Sequence, residues 1–273
     1  MTIGSLDNEV FFKKAFTDQI VFRAFVHDIL GIDVEPEKIE TEKGFQPKVG
    51  SINFKYDIFA EDKKKRIIIE IQKVEYDHNF DRFLHYHLQA ITEQQRSSTD
   101  YSVEKTVYTI VVITAPYRIN ERTREFYKDE VLISKLNPKN LKGDEFKIFN
   151  HELVYLNSNY KTDNTPQNYR DWLDLIYESI HSPTAPKINF NNEGVKRASE
   201  IINYDNISPE DWEQSKIEVG KQKVILLERE AERFVIAKKM MNLEIDDEKI
   251  SKATGLSISQ VQWLRENKEN IED

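Results

Sequence analysis

The sequence predicts an α/β protein in which helices cover a mixed β-sheet and a helical region follows toward the C-terminus. Two strand-like runs joined by a charged turn occupy residues 53–72. After a helix-like segment, residues 101–114 are nearly continuous in apolar and β-branched residues, as is typical of a central strand. Beyond residue 167 the apolar residues recur at helical spacing. This order of elements favours one sheet with helices packed on it.

The hairpin predicted at residues 53–72 organises the rest of the chain. Because side chains alternate along a strand, one face of the first strand is apolar and the other is mixed. The apolar face is predicted to hold Phe54, Tyr56, Ile58 and Ala60, and the mixed face Lys55, Asp57 and Phe59. In the second strand, the consecutive Ile67, Ile68 and Ile69 indicate burial on both faces.

Two carboxylates lie where the predicted strands pair. Asp57 and Glu70 are expected to meet across the hairpin, and Gln72 shares the face of Glu70. A buried carboxylate is costly unless it binds something. Paired carboxylates suit a hard cation such as Mg²⁺ or Mn²⁺, which activates water for attack on a phosphodiester. The alternative is a solvated Asp57 and an ion pair between Glu70 and Lys55.

Composition limits the chemistry of the chain. The 273 residues include no cysteine, which excludes disulfides, thiolate zinc sites and cysteine nucleophiles and agrees with a cytoplasmic protein. No apolar run reaches membrane-spanning length and no secretion signal is visible, so we expect no membrane partner.

The net charge bears on DNA binding. A formal net charge of −9 predicts modest affinity for DNA, carried by a local basic patch. The two candidate patches are residues 63–66 and the set Arg118, Arg122 and Arg124. A solvated surface is the more common role of such patches.

Helical spacing predicts two helices between residues 8 and 30. A break is expected near Asp18, which caps the second helix, and Gly31 ends it. Glu9 and Lys13 are four residues apart and share a helical face. Glu9 is either a site residue or a first-turn acid favoured by the helix dipole.

A further helix is predicted at residues 77–96, whereas residues 32–50 are predicted to be irregular. Arg82 and Tyr86 fall near each other on this helix, beside its apolar face. The planar guanidinium of Arg82 suits bidentate contact with a phosphate, and the alternative is an ion pair with Asp81.

A polar, proline-containing stretch at residues 158–167 is the predicted boundary between a domain at residues 1–160 and a helical region at 168–273. Ser208 followed by Pro209 predicts the start of a long, charge-rich helix. An apolar stripe on this helix indicates intramolecular packing or a homodimer. The stripe consists of Ile217, Val224, Leu227 and Phe234.

Residues 246–267 are predicted to form a helix–turn–helix hairpin with Gly255 at its turn. A second helix that contacted DNA would offer Ser257, Ser259, Gln260, Gln262 and Arg265. The acidic balance of this region favours a helical cap or a partner-binding hairpin at least as strongly.

Several segments, taken together and in order, resemble one nuclease family. Asp57, followed after twelve residues by Glu70, Ile71 and Gln72, resembles the PD-(D/E)xK nuclease core in its D…ExQ form. Over residues 1–160 the chain resembles the recombination-promoting nuclease/transposase family. The supporting segments are residues 9–16, residues 25–30, Phe80 to Arg82 with Tyr86, and Tyr101 with residues 107–113.

This resemblance implies a metal-dependent DNA endonuclease with a restriction-endonuclease-like core. It assigns Asp57 and Glu70 to a Mg²⁺ or Mn²⁺ ion, and it adds Gln72 and Glu9 to the catalytic set. The candidate contacts with DNA are Lys13, Lys55, Arg82 and Tyr86.

Gln72 departs from the superfamily pattern, in which a lysine stands at this position. A glutamine amide can orient the attacking water but carries no charge. Lys55 shares the face of Asp57 and is the candidate for the missing charge, whereas strand alternation places Lys73 on the opposite face. The alternative function is therefore a catalytically decayed protein that binds nucleic acid or regulates a partner, with a helical oligomerisation tail.

Overall fold

The computed structural model of the protein describes residues 1–45, 54–73, 80–95, 99, 101–117 and 128–267. The chain forms two compact units, Met1–Ser215 and Lys216–Asp273. Within the described ranges, no helix is both long enough and apolar enough to cross a membrane.

A mixed six-stranded sheet is formed by the described part of the first unit. Its strands are β1 (Ile39–Phe45), β2 (Phe54–Glu61), β3 (Lys65–Gln72), β4 (Thr106–Ile113), β5 (Val131–Lys135) and β6 (Glu152–Asn157). They are arranged in the order β1-β2-β3-β4-β6-β5. The pairs β3–β4 and β4–β6 are parallel, and the other pairs are antiparallel. The predicted α/β fold is confirmed, and it is consistent with a restriction-endonuclease-like core.

The helices are α1 (Glu9–Phe16), α2 (Gln19–Leu30), α3 (Phe80–Thr92), α4 (Gln167–His181), α5 (Glu193–Ile201), α6 (Pro209–Asn242), α7 (Asp247–Thr254) and α8 (Ile258–Glu266). The predicted break between the first two is confirmed. Asp18 caps α2, because its Oδ1 accepts hydrogen bonds from the N–H groups of Ile20 and Val21. The helix ends at Gly31, whose φ of 66° is the left-handed conformation that glycine adopts without steric cost.

One face of the sheet is covered by α1, α2, α4 and α5. Their apolar side chains form the main hydrophobic core with residues of β2, β3, β4 and β6. Trp172 of α4 is fully buried in this core, with its ring 5.0 Å from that of Phe25 and 5.9 Å from that of Phe16. The indole N–H donates to Asp28 Oδ2 at 2.7 Å, so the one polar atom of the side chain is satisfied.

The other face of the sheet is covered by α3. Phe83 packs against β4 and β6, and Ala90 packs against β2, β3 and β4. Along β3, Ile67 and Ile69 enter the main core and Ile68 faces α3. The predicted burial of this strand on both faces is therefore confirmed.

Two elements had no clear signal in the sequence. Strand β1, IETEKGF, is an edge strand of mainly polar residues that is held by its backbone pairing with β2. Helix α5 is short and is capped by Asn192, whose side chain accepts a hydrogen bond from Val195 N–H at 3.1 Å. Residues 146–151 form no strand, and β6 begins at Glu152.

The sequence placed a domain boundary at residues 158–167, whereas the contacts divide the chain after Ser215. Helices α4 and α5 belong with the sheet because they bury apolar side chains in the main core. Leu173, Ile176 and Ala198 are all fully buried there. A polar linker between two elements does not prevent the second element from packing on the same core.

The second unit is a small helical cluster. Helices α7 and α8 pack on the C-terminal part of α6 around Ala237, Met241, Ile250, Leu256, Val261 and Leu264. The chain turns between α7 and α8 at Gly255, whose φ is 70°. Ser257 and Gln260 form a capping box at the start of α8. The segment predicted to be a helix–turn–helix therefore has that local structure.

Candidate active site

Asp57 and Glu70 meet where β2 and β3 diverge. The backbone pairing of these strands runs from Glu61 opposite Arg66 to Ile58 opposite Ile69. At the next position the two carboxylates replace the backbone ladder. Asp57 N–H donates to Glu70 Oε1 at 3.2 Å. Ile71 N–H donates to Asp57 Oδ2 at 3.0 Å.

The alternation of side chains breaks at Asp57. Ile58 faces the main core, but Tyr56 packs with Phe59 on the side of α3, with ring centroids 6.1 Å apart. The prediction that Tyr56 shares a face with Ile58 is therefore wrong. The phenol of Tyr56 is held there because it donates to the backbone carbonyl of Tyr86 at 3.0 Å. This departure from regular strand geometry accompanies the divergence of β2 and β3.

Both carboxyl groups have a raised pKa. Glu70 is 1% exposed, and burial, followed by the charge of Asp57, raises its pKa well above the usual range. Burial also raises the pKa of Asp57, although the N–H of Ile71 and the ammonium of Lys13 act against the shift. Two partly desolvated acids side by side have a strong electrostatic preference for a cation between them.

Lys13 of α1 brings a positive charge to this pair. Its Nζ lies 3.9 Å from Asp57 Oδ1, 3.2 Å from Glu9 Oε2 and 3.1 Å from Glu42 Oε1. Burial lowers the pKa of Lys13, but the three carboxylates outweigh it, so the pKa is raised overall and the amine is protonated. Lys13, predicted as a contact with DNA, is thus placed beside a predicted metal-binding carboxylate.

Lys73 is a residue that sequence reasoning set aside. Its side chain is 8% exposed, and its Nζ lies 3.6 Å from Glu9 Oε1. Strand alternation does not fix the direction of the Lys73 side chain, because β3 ends at Gln72. Glu9 therefore joins two lysines, Lys13 and Lys73, at the edge of the site. The only signal in the sequence was a lysine directly after the last strand residue.

Glu42 is a second residue that the sequence did not reveal. In the register of β1 and β2 it stands opposite Asp57, with Thr41 paired to Ile58 and Lys43 paired to Tyr56. Its φ of 52° is the left-handed region, which costs a non-glycine residue about 1–3 kcal/mol. Nothing in the local sequence indicates this conformation.

Lys55 does not approach Asp57 as predicted. Its side chain is 67% exposed, and its Nζ lies 3.7 Å from Glu42 Oε2. Glu42 bonds both Lys55 and Lys13, and of the two it is Lys13 that also reaches Asp57. The positive charge near Asp57 is carried by Lys13 of α1. The alternation of side chains along β2 gives no indication of a residue on another element.

Arg82 and Tyr86 interact on α3, as their spacing predicted. Arg82 Nε donates to Tyr86 OH at 3.2 Å, and the guanidinium carbon lies 5.2 Å from the centre of the Tyr86 ring. Burial lowers the pKa of Arg82, but Tyr86 and the charges of Glu70 and Asp57 raise it overall. An exposed guanidinium oriented in this way is suited to contact a phosphate.

The sequence of the chain matches a known protein family. A family model described as a PD-(D/E)XK nuclease family transposase matches residues 33–224, well over half of the chain. The chain belongs to this family. Its function is accordingly of the nuclease and transposase type. Searches of the curated proteins and of the solved structures found no match.

The family match covers Asp57, Glu70 and Gln72 but begins after α1. Glu9 and Lys13 lie outside the matched range, and the contacts of Lys13 with Glu9 and Asp57 place them beside it. Gln72, which stands where the superfamily has lysine, is held at the end of β3 because its carbonyl accepts from Thr114 N–H at 3.0 Å. By strand alternation its side chain points to the face of Glu70.

Of the two predicted basic patches, the one at residues 63–66 lies within the part of the chain that the structure describes. Arg118, Arg122 and Arg124 lie outside the described residues. In the patch at residues 63–66, Arg66 is 7% exposed and its guanidinium bonds Glu61 and Glu93. Arg66 is thus part of a buried ion-pair network between the hairpin and α3. In the second unit, Arg265 bonds Asp247 at 2.6 Å, so it also serves packing.

The donor set at the site fits a hard divalent cation. Within the described ranges, no three His, Asp or Glu side chains lie close enough together to hold a metal ion. Mg²⁺, however, commonly uses one or two protein carboxylates and completes its shell with water. Asp57 and Glu70 supply two such carboxylates, desolvated and adjacent.

Proposed function

We propose that the protein is a metal-dependent DNA endonuclease of the transposase type, with Asp57 and Glu70 as its metal-binding residues. The observation that carries the proposal is the carboxylate pair at the diverging ends of β2 and β3 in a chain of this nuclease family. The reaction that such a pair serves is hydrolysis of a phosphodiester.

Asp57 and Glu70 are the residues that would hold Mg²⁺ or Mn²⁺. The ion would supply Lewis-acid stabilisation of the phosphate and a lowered pKa for water. The backbone N–H groups of Ile71 and Asp57 keep the two carboxylates in place. Little rearrangement is then needed when substrate binds, and this kind of preorganisation is what makes electrostatic catalysis effective.

Lys13 replaces the positive charge that is absent at Gln72. It is protonated and reaches Asp57 from α1, where it can stabilise the negative charge that develops on the phosphate. Glu9 and Glu42 position its amine. The amide of Gln72 orients the attacking water, since it can both donate and accept hydrogen bonds.

Arg82, Tyr86 and Lys55 are the proposed contacts with DNA. The guanidinium of Arg82 is a suitable partner for a phosphate, and Lys55 presents a largely exposed ammonium on β2. Because the chain carries a net charge of −9, affinity for DNA depends on these local cations.

Nicking of supercoiled plasmid tests this function. The protein is incubated with Mg²⁺, Mn²⁺ or chelator, beside the variants Asp57→Asn and Glu70→Gln. We expect cutting that requires metal and that both substitutions reduce to background. The matched control is Glu37→Gln, an exposed carboxylate elsewhere, which should cut at the normal rate. Cutting by Asp57→Asn at the normal rate would disprove the assignment.

A second candidate function follows from Gln72 and the acidic charge of the chain. A protein whose site has lost its chemistry would bind nucleic acid or a partner without cleavage. Calorimetric titration with Mn²⁺ separates the two, because a site that retains its function binds the ion in a manner that Glu70→Gln abolishes. If the protein neither binds Mn²⁺ nor cuts plasmid, the result favours the second function.

A further inference from the structure

A stretch of α6 is exposed to solvent among the residues that the structure describes. Between Lys216 and Glu232, every side chain that the structure describes is exposed, apart from the partly buried Glu218. This segment spans about 25 Å at 1.5 Å per residue. Most helical stability in proteins comes from packing of an apolar face rather than from helix propensity. A partner surface would therefore stabilise this exposed segment.

The apolar residues of this segment have the spacing of a coiled coil. Ile217, Val224 and Leu227 are 51%, 53% and 56% exposed. With the small residues Gly220 and Ala231 they occupy successive a and d positions of a heptad pattern. A Cβ added at Gly220 would meet no atom within 4 Å, so a second helix has room to approach closely there.

The charges that flank the stripe divide it into two halves. Lys221 and Lys223 flank the first half, at heptad positions e and g. Glu228 and Glu230 flank the second half at the same positions. All four side chains are exposed. The stripe therefore has a positive and a negative end and is complementary to a copy of itself that runs in the opposite direction.

We propose that this segment of α6 forms an antiparallel coiled coil with a second copy of the chain. Val224 packs against Leu227 of the partner subunit, and Gly220 packs against Ala231 of the partner subunit. Lys221 and Lys223 then lie beside Glu228 of the partner subunit and Glu230 of the partner subunit. The two-fold axis repeats every contact, so the interface holds four attractive pairs.

A parallel arrangement fits the charges less well. It pairs each g position with the next e position of the partner subunit. Lys223 would lie beside Glu228 of the partner subunit, but Lys216 would lie beside Lys221 of the partner subunit. Two attractive pairs would be offset by two repulsive ones. The interface is independent of the proposed nuclease function.

Light scattering of the full chain after size exclusion tests the interface. We expect the mass of a dimer, and a monomer when Val224 and Leu227 are both replaced by Asp. The matched control is Val219→Asp, which is 57% exposed on the opposite side of α6 and should leave the dimer intact. Circular dichroism confirms that each variant is folded. A monomeric mass for the natural chain, or dissociation by Val219→Asp alone, overturns the proposal.

Single cysteines test the orientation, since the natural chain has none to interfere. A disulfide needs Cα atoms about 4.4–6.8 Å apart. In the proposed register, Gly220→Cys and Ala231→Cys chains crosslink when mixed, whereas Gly220→Cys alone does not, because its two copies lie about 16 Å apart. A disulfide formed by Gly220→Cys alone, and none in the mixture, would establish a parallel dimer and overturn the register.

Discussion

At the scale of single residues, the site depends on how each charge is paired. Asp57 and Glu70 are carboxylates with raised pKa, and the nearby cation is Lys13 rather than Lys55. In the proposed function, Lys13 supplies from a neighbouring helix the positive charge that the superfamily has on a strand lysine. The proposed site thereby keeps a positive charge although Gln72 carries none.

We predict that Lys13→Gln lowers the rate of DNA cleavage by about tenfold or more, since one charge beside the reacting phosphate is typically worth at least that. The effect should appear in kcat, and Lys13→Arg should restore part of it. Lys38→Gln is the control, because its side chain is 75% exposed and pairs with Glu40. If Lys38→Gln lowers kcat as strongly as Lys13→Gln, the assignment of the charge to Lys13 is wrong.

His87 is a second residue whose environment predicts behaviour. It is 1% exposed, and its Nδ1 lies 2.9 Å from Thr109 Oγ1. Within the described part of the chain its Nε2 has no hydrogen-bond partner. Burial, followed by the charge of His151, lowers the pKa of His87 to about 4. The folded protein therefore holds this imidazole neutral at pH values where the unfolded chain protonates it.

The stability that depends on His87 is present above pH ~6.5 and is lost as the pH falls toward 4. At one pKa unit per 1.36 kcal/mol, the loss reaches about 3 kcal/mol. Urea unfolding at about pH 7.5 and about pH 4.5 measures the loss, because the first condition lies above this range of pH and the second lies near its lower end. His87→Gln should show a smaller difference between the two than the natural protein. The exposed His85→Gln is the control, and an equal reduction there would contradict this account.

At the scale of elements, the helices that cover one face of the sheet approach each other closely. Helix α5 packs tightly on α2 at Gly194, where an added Cβ would lie 2.4 Å from Ala24 Cβ and 2.9 Å from the ring of Trp172. No real Cβ contact is that short, so only glycine fits without displacement. Packing at this point links α2, α4 and α5 in one layer.

We predict that Gly194→Ala destabilises the first unit by about 1–3 kcal/mol, the usual cost of overpacking. Adding Ala24→Gly should recover part of the loss, because it removes the nearest atom. Chemical unfolding followed by tryptophan fluorescence measures both variants. A double variant no more stable than Gly194→Ala would mean that Ala24 is not the source of the clash.

Strand β2 departs from regular strand geometry at the candidate site. Its alternation holds at Ile58 and Ala60 and fails at Tyr56, where Asp57 takes over the contacts with β3. The left-handed Glu42 lies opposite, on β1. Departures from regular geometry concentrate where carboxylates replace backbone hydrogen bonds, and local strain is often found at such sites.

At the scale of the whole molecule, the acidic charge opposes binding of DNA. A net charge of −9 and a carboxylate pair at the site both repel phosphate. We predict that duplex binding is about tenfold weaker in chelator than with Ca²⁺, since the ion neutralises the site. Fluorescence anisotropy of a labelled duplex measures the difference. In Asp57→Asn the effect of chelator should be small, and a full effect there would place the ion elsewhere.

The sequence by itself determined the mixed α/β fold, the break at Asp18, the meeting of Asp57 with Glu70 and the pairing of Arg82 with Tyr86. These features depend on periodicity and on residues close along the chain or paired across a hairpin. Only the tertiary structure decided that Lys13 reaches Asp57 and Glu42, that Lys73 pairs with Glu9, and that α4 and α5 share the core of the sheet. Those outcomes depend on how separate elements pack, and local patterns carry no record of such contacts.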